Sequence, residues 1–543
     1  MESGVAGASG LHSPPMADNH RLTRRTFLAG AAASGALLAA GCSSDGGGSG
    51  ASATTTTATT LPVPDLPGDP FTLGVASGDP LSDAVVLWTR LAPEPLAARG
   101  GMPRGIDVPV RWEAQTLDGR EPVADGVTVA PADHGHTVHL DVDGLESDTA
   151  YRYRFSVGDF RTGWARTRTL PATGTTPDRF VIGQVSCSQY DAARYAAYRD
   201  LAEQQPDLVL HLGDYIYEHP GGDVRPGVIT AIDLADYRYQ YALYRTDPHL
   251  RAAHAAAPWI VVWDDHEVSN NYVSDVPDPE SESPNRAALR ERRAAAYRAW
   301  WENQPVRLDP PDGPDLAIYR RFDVGDLATI HALDSRQYRT SLDCGPGGLG
   351  PGRRCDASTA PATTVLGEEQ EAWLDEGLGR AAVWHVLAQQ IVMHQWRFAE
   401  GDDPIWNLDQ WDGYPVARDR LFESLADAEG TPVVLTGDVH SSWAAVLRED
   451  FDDPTSAVLG VEFVAAGVGS DGDLLAAVEP VLRRNNPHIE YSEAGHRGWV
   501  LNTVTPDAWT AEFRLVDDHT DADSTITVGA TVTADADGAL TVA

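Results

Sequence analysis

The segment Asp207-Leu208-Val209-Leu210-His211-Leu212 is a short apolar run that stops at Gly213-Asp214-Tyr215-Ile216-Tyr217-Glu218. An unbroken apolar run of this length, closed by a polar turn, reads as a strand buried on both faces, as in a parallel sheet. The design recurs on either side. Upstream, Phe180 to Ser186 runs into Cys187-Ser188-Gln189-Tyr190. Downstream, Trp259 to Trp263 runs into Asp264-Asp265-His266-Glu267, with Asn270-Asn271 just beyond. Leu327 to Leu333 ends in Asp334-Ser335-Arg336-Gln337-Tyr338, and Pro432 to Thr436 ends in Gly437-Asp438-Val439-His440-Ser441-Ser442. Trp384 to Ala388 is a further apolar run, and helical stretches at 192–204, 287–301, 368–378 and 416–428 lie between the strands. Strands alternating with helices define an α/β fold class.

In such sheets ligands bind beyond the carboxyl ends of the strands. Asp, His, Asn, Cys and Tyr residues that are distant in the chain therefore converge on one rim. A single strand-end Asp is commonly a helix N-cap or a turn residue. Five polar strand ends together, with Asn and Arg among them, point instead to a site. Carboxylate and amide oxygens suit hard cations such as Ca²⁺, Mg²⁺ or Mn²⁺. A phenolate, an imidazole and a lone thiolate suit a trivalent iron better. A site with both ligand types, sharing one carboxylate, can generate hydroxide at mild pH and hold a phosphoryl group during in-line displacement.

Ahead of this region, residues 71–172 carry short β-branched and aromatic strands separated by turns, with clean alternation in Tyr151-Arg152-Tyr153-Arg154-Phe155-Ser156. This pattern predicts a small antiparallel sandwich without a catalytic cluster. From about Trp499 the chain returns to strands and turns, expected to cap the catalytic domain of 178–543. Cys344 and Cys355 flank a Gly/Pro-rich loop, most simply a disulfide in a secreted protein.

The N-terminus reads Thr23-Arg24-Arg25-Thr26-Phe27-Leu28, followed by an apolar run from Ala29 to Ala40. That run is too short to span a bilayer but suits the core of a signal peptide. The paired arginines resemble the twin-arginine export signal, and Leu38-Ala39-Ala40-Gly41-Cys42 resembles a bacterial lipobox. The expectation is a signal peptide over 1–41, a lipidated Cys42, and a Ser/Gly/Thr/Pro tether over 42–70. The protein would then be secreted and lipid-anchored to the outer face of the cell membrane. The chain of 543 residues carries 80 acidic and 41 basic side chains, a formal charge of −39, and every base is Arg. That sign excludes a nucleic-acid coat protein or a binder of anionic membrane. No stable nucleic-acid partner is expected, membrane contact is expected only through Cys42, and the protein is expected to be a monomer.

The blocks Gly213-Asp214 to Tyr217, Asp265-His266-Glu267 and Gly437-Asp438-Val439-His440 resemble the metallophosphoesterase signatures GDxxY, GNHE and GHxH. Within that superfamily the resemblance is closer to the alkaline phosphatase D (PhoD) family. It rests on Cys187, His211 to Glu218, Trp263 to Asn271, Leu333 to Arg336 and Thr436 to Ser442, in that order. The resemblance implies a four-layer αββα metallophosphoesterase core behind an N-terminal small β-sandwich domain, with ferric iron (Fe³⁺) and calcium (Ca²⁺) as cofactors. It implies Cys187, Asp214, Tyr217 and His440 as iron ligands, with Asp214 bridging to calcium. Asp265, Asn271 and Asp438 are implied as calcium ligands, in preference to Asp264 and Asn270. The swap of His for Asp438 exchanges nitrogen for carboxylate oxygen, and the swap of Asn for Asp265 exchanges an amide oxygen for a carboxylate, and both favour calcium. His266 is implied to steady the phosphoryl oxygens or protonate the leaving group, and Arg336 to clamp phosphate through its planar fork.

The implied activity is hydrolysis of phosphomonoesters, and of phosphodiesters, by an exported alkaline phosphatase. Two rivals remain at this point: a dedicated diesterase acting on extracellular nucleic acid, phospholipid or wall polymer, and a calcium-dependent cell-surface binding protein.

Overall fold

Val386 and Leu387 are adjacent in sequence yet belong to different cores. Successive side chains of a strand point to opposite faces, so this pair marks a sheet packed on both sides. The computed structural model describes residues 62–344, 349–399, 404–470 and 473–543. The expected signal peptide, lipobox and residues 42–61 of the tether lie outside them.

The N-terminal region supplies β1 (Val75–Gly78), β2 (Val85–Arg90), β3 (Val108–Thr116), β4 (Ala124–Ala130), β5 (Thr137–Val142), β6 (Ala150–Val157), β7 (Phe160–Arg161) and β8 (Ala165–Arg168). Next come β9 (Phe180–Val185), α1 (Ala196–Gln204), β10 (Leu208–Leu212), α2 (Leu234–Arg245), α3 (Pro248–Ala256), β11 (Pro258–Val262) and α4 (Arg286–Asn303). The second half contributes β12 (Arg320–Val324), β13 (Ala328–Ala332), β14 (Pro351–Gly352), α5 (Glu368–Leu378), β15 (Trp384–Ala388), β16 (Trp406–Asn407), α6 (Pro415–Ala426) and β17 (Thr431–Thr436). The chain closes with β18 (Ser442–Arg448), β19 (Val458–Val464), α7 (Asp473–Asn485), β20 (Ile489–Glu493), β21 (Arg497–Val504), β22 (Ala508–Val516), β23 (Ile526–Asp535) and β24 (Leu540–Val542).

Two sheets face each other. One has ten strands in the order β24-β23-β22-β21-β9-β10-β11-β1-β2-β5, the other seven in the order β12-β13-β15-β17-β19-β18-β20. Ile182, Leu210 and Ile260 of the first meet Ile330, Val386, Val433 and Phe463 of the second in one central core. On the outer face of the seven-stranded sheet, Leu387 and Val434 pack with Leu374 and Leu378 of α5 and Leu421 and Leu425 of α6. Helix α1 packs outside the ten-stranded sheet against β21 and β22, and α3 against β1 and β11. This is the expected four-layer αββα arrangement. The C-terminal strands do not lie over the domain as a separate cap: β21 pairs antiparallel with β9 and extends the sheet. Cys344 and Cys355 form the expected disulfide.

The N-terminal sandwich is less self-contained than expected. A core of Val85, Leu87, Val110, Tyr153 and Phe155 does form between two sheets. However, β1 pairs in parallel with β11, Ser77 opposite Pro258, so β1, β2 and β5 are the far edge of the catalytic sheet. Only β3, β4, β6, β7 and β8 form a sheet of their own. The cause is hydrogen-bond satisfaction, since an open edge at β11 would leave a row of unpaired donors and acceptors. Gly78 permits the join, because a Cβ there would lie 2.4 Å from the Pro305 carbonyl oxygen and 2.5 Å from that of Trp259.

Candidate metal centre

Strands β9, β10 and β11 are mutually parallel, as are β13, β15, β17 and β19, so their carboxyl ends open onto one rim. The backbone turns there shortly after β9, β10 and β17 and again in the loop that follows β11. Cys187 (φ 53°), Asp214 (φ 56°), Asn271 (φ 51°), Asp438 (φ 65°) and His440 (φ 54°) all adopt left-handed conformations. Non-glycine residues rarely do so outside sites where the surrounding fold imposes it. Five of the seven residues expected to hold metal therefore sit on strained backbone that points them off the sheet. Gly213 gives Asp214 its position, because a Cβ there would lie 2.5 Å from Cβ of Asp264.

On one side of the rim, three donors converge on a single carboxylate. Cys187 Sγ lies 3.6 Å and the Tyr217 hydroxyl 3.4 Å from Asp214 Oδ2. The Tyr217 hydroxyl is 3.0 Å from His440 Nε2. Cys187, Asp214 and His440 can each offer a ligand atom within 4.8 Å of the others. Burial, and then the Asp214 carboxylate, push the Cys187 thiol and the Tyr217 phenol well above their ordinary values. A cation is the group that would displace both protons.

On the other side Asp214, Asp264, Asp265 and Asp438 can likewise meet within 4.8 Å. Burial first, then the Asp265 charge, raises the Asp214 carboxyl well above the ordinary range. Burial, and then Asp409, raises Asp438 to about 6. Asp264 Oδ2 and Asp265 Oδ1 are buried and accept no hydrogen bond. Crowded, desolvated carboxylates are costly without positive partners, and Arg336, 3.4 Å from Asp265 Oδ1, is a partner that the chain supplies. The donor set therefore fits metal binding: hard oxygens on this side, and thiol, phenol and imidazole on the other. Asn271 donates its backbone N–H to Asp265 Oδ2 at 2.6 Å, which keeps it beside this cluster. Asn270 donates to Glu218 instead and lines a cavity of about 480 Å³ with Glu218, His219 and Glu282.

Arg336 departs from expectation. Its side chain has no exposed surface, and its Nε donates to Asp264. Nη1 and Nη2 reach Asp409 at 2.8 and 2.9 Å, and Nη2 lies 3.4 Å from Asp265 and 3.5 Å from Asp438. The fork that was expected to clamp phosphate is given to carboxylates beneath the rim. The reason is electrostatic: four buried acids require a compensating cation inside the protein.

His266 sits beside the cluster. Its backbone N–H points to Asp214 Oδ1 at 3.3 Å, its ring stacks on that of Tyr217 at 4.1 Å, and its Nδ1 is 2.7 Å from Glu218 Oε2. Burial would lower its pKa, but Glu218, Asp265 and Asp214 outweigh it and hold the imidazole well above its ordinary value. Among the nine residues expected in the site, all but Arg336 reach the rim itself.

Several participants were not anticipated. Glu267 accepts the backbone N–H groups of Asp214, Tyr215 and Asp264, tying the ends of β10 and β11 together. Asp409 and Gln410 arrive from a loop, and Gln410 Nε2 donates to Asp438 Oδ2 at 2.6 Å. Glu218 and Glu267 stood inside the recognised blocks, whereas Asp409 and Gln410 follow no long apolar strand and carried no signal.

Comparison with known proteins agrees with this geometry. Residues 180–513 match the family model described as PhoD-like phosphatase, and residues 56–171 match its N-terminal domain. Alkaline phosphatase D of Bacillus subtilis (strain 168) is 45% identical over 468 residues, covering 83% of this chain and 79% of that protein. A solved structure of PhoD superposes with a TM-score of 0.83 at 42% identity, covering 88% of this chain and 93% of the other.

Proposed function

The chain belongs to the PhoD-like phosphatase family and is a phosphoric ester hydrolase, and from that premise we propose an iron-calcium assignment for its metal-binding rim. Cys187, Asp214, Tyr217 and His440 hold ferric iron; Asp214, Asp265, Asn271 and Asp438 hold calcium. The observation that carries this is the partition of donors across Asp214, with sulfur, phenol and imidazole on one side and, on the other, a set of carboxylates to which the His266 ring adds one nitrogen. When bound, such cations supply Lewis acidity to the phosphoryl oxygens and a water of lowered pKa as nucleophile.

The chain's own residues perform the rest. Asp214 is the shared carboxylate and fixes the two halves at one spacing. Arg336 neutralises the acids beneath, so that the rim presents its free oxygens upward rather than repelling itself apart. His266, steadied by Tyr217 and Glu218, donates a proton to the departing oxygen on the side away from the nucleophile. The substrate class is phosphate esters, with monoesters and diesters both accepted.

Export belongs to the same reading. The twin-arginine segment and the lipobox-like Leu38 to Cys42 support export and lipid anchoring outside the cell. The Cys344–Cys355 disulfide supports an oxidising location. Elemental analysis of the purified protein, alongside phosphate release from a chromogenic ester, tests the assignment. Iron and calcium in an active, coloured protein are expected, with the colour lost or shifted in Tyr217→Phe. A colourless, active enzyme holding only zinc would refute it.

A further inference from the structure

We propose that Glu218 is the positioning residue that orients His266 toward the leaving group. The inference rests on the reading of His266 as the donor to the departing oxygen. Three contacts define the ring. Glu218 Oε2 receives Nδ1–H at 2.7 Å, the Tyr217 ring covers one face at 4.1 Å, and the His266 backbone N–H is anchored toward Asp214 Oδ1. With Nδ1 engaged, Nε2 is the nitrogen available to substrate.

Glu218 is itself held. Its side chain is 1% exposed, its Oε1 accepts the Asn270 backbone N–H at 2.7 Å, and His219 Nδ1 lies 3.3 Å from the same oxygen. It also sits directly after Tyr217, so one turn of backbone carries both the aromatic clamp and the carboxylate that set the ring. The motif acid Glu267 cannot serve this role, because both its oxygens are taken by backbone N–H groups of Asp214, Tyr215 and Asp264.

The step balances simply. The Nε2 proton moves to the ester oxygen as the P–O bond breaks and the alcohol leaves. The ring, an imidazolium before the step, is left neutral with Nδ1–H on Glu218, and Nε2 regains a proton from water before the next turnover. The tautomer is thereby fixed by the carboxylate partner. The need for this donor is greatest when the leaving alkoxide is basic, and least when the leaving group is a stabilised phenolate.

The test compares a 4-nitrophenyl ester with an alkyl ester in wild type, His266→Ala, Glu218→Gln and Glu218→Asp, with iron and calcium measured in each. His266→Ala and Glu218→Gln should both lose about a hundredfold in kcat on the alkyl ester, and far less on the nitrophenyl ester. Metal content should stay at the wild-type value, and Glu218→Asp should recover part of the alkyl-ester rate. A leaving-group dependence that steepens in His266→Ala but not in Glu218→Gln would overturn the proposal while leaving His266 as donor. No steepening in either variant would overturn the reading of His266, and the proposal with it. Loss of metal in the Glu218 variants would make Glu218 a support of the metal bed and refute the positioning role.

Discussion

Arg336 and Asp409 form a buried two-pronged ion pair, Nη1 to Oδ1 at 2.8 Å and Nη2 to Oδ2 at 2.9 Å. Asp409 also receives Arg339 Nη1 at 2.6 Å, and Arg336 touches Asp264, Asp265 and Asp438 as well. The pair is thus the hub through which a loop residue, Asp409, reaches the rim acids.

This hub gives the first prediction. Arg336→Met leaves several buried carboxylates without their cation and should cost about 3–5 kcal/mol of stability. Urea unfolding of the metal-free protein, read by fluorescence, should show a lowered midpoint. A phosphate clamp would behave differently, with KM raised and the unfolding midpoint intact.

A second prediction follows from Asp438, whose carboxyl is raised from 3.8 to about 6 by burial and by Asp409. The folded chain holds that proton more tightly than the unfolded chain, so between about pH 4 and pH 6 stability falls as pH rises. In metal-free protein, Asp438→Asn should therefore be more stable than wild type above about pH 6. The gain should vanish as pH falls toward 4. Paired urea titrations at pH 4.5 and pH 7.5 check this; a gain that is equal at both values would contradict it.

The roles of the two rim histidines separate by mutation. His440 Nε2 lies 3.0 Å from the Tyr217 hydroxyl, within the thiol-phenol cluster, and His440→Ala should lose iron. His266 points its backbone N–H at Asp214, stacks on Tyr217 and engages Glu218 through Nδ1, so His266→Ala should keep iron and calcium while turnover falls. Metal content and kcat measured together decide between them. The opposite pattern would exchange the roles.

Much of this site was legible in the sequence, for a physical reason. A parallel strand is apolar along its length and must end in polar residues where the sheet meets solvent, so Cys187, Asp214, Asp265, Asp334 and Asp438 announce themselves at the ends of apolar runs. The αββα layering follows from the same runs. What stayed hidden depends on packing that no local pattern encodes. Asp409 has no long strand before it, and only the fold brings it to Arg336. The sharing of β1 with β11 is equally invisible, because edge pairing leaves no mark in a four-residue strand. The surroundings of Arg336 stayed hidden for a related reason. The family resemblance implies a phosphate clamp, and only the fold shows its fork paired with Asp264 and Asp409.

Anchoring yields a prediction independent of the rim. On the proposed lipobox, and with 42–70 expected to be a tether, Cys42→Ser should release the protein from membranes with its specific activity intact. Arg24 and Arg25 replaced together by Gln should block export. Fractionation of cells into membrane and soluble pools measures both. Unchanged membrane retention of the Cys42 variant would remove the lipobox from the account.

The division of the rim into a carboxylate-rich half and a thiol-phenol half is tested most directly by a mild calcium chelator. Oxygen-bound calcium exchanges readily, whereas the Cys187-Tyr217 side should hold its ion. Phosphate release should be abolished while the colour and the iron content remain, and added calcium should restore the rate. Activity indifferent to calcium removal, or colour lost together with activity, would contradict the assignment.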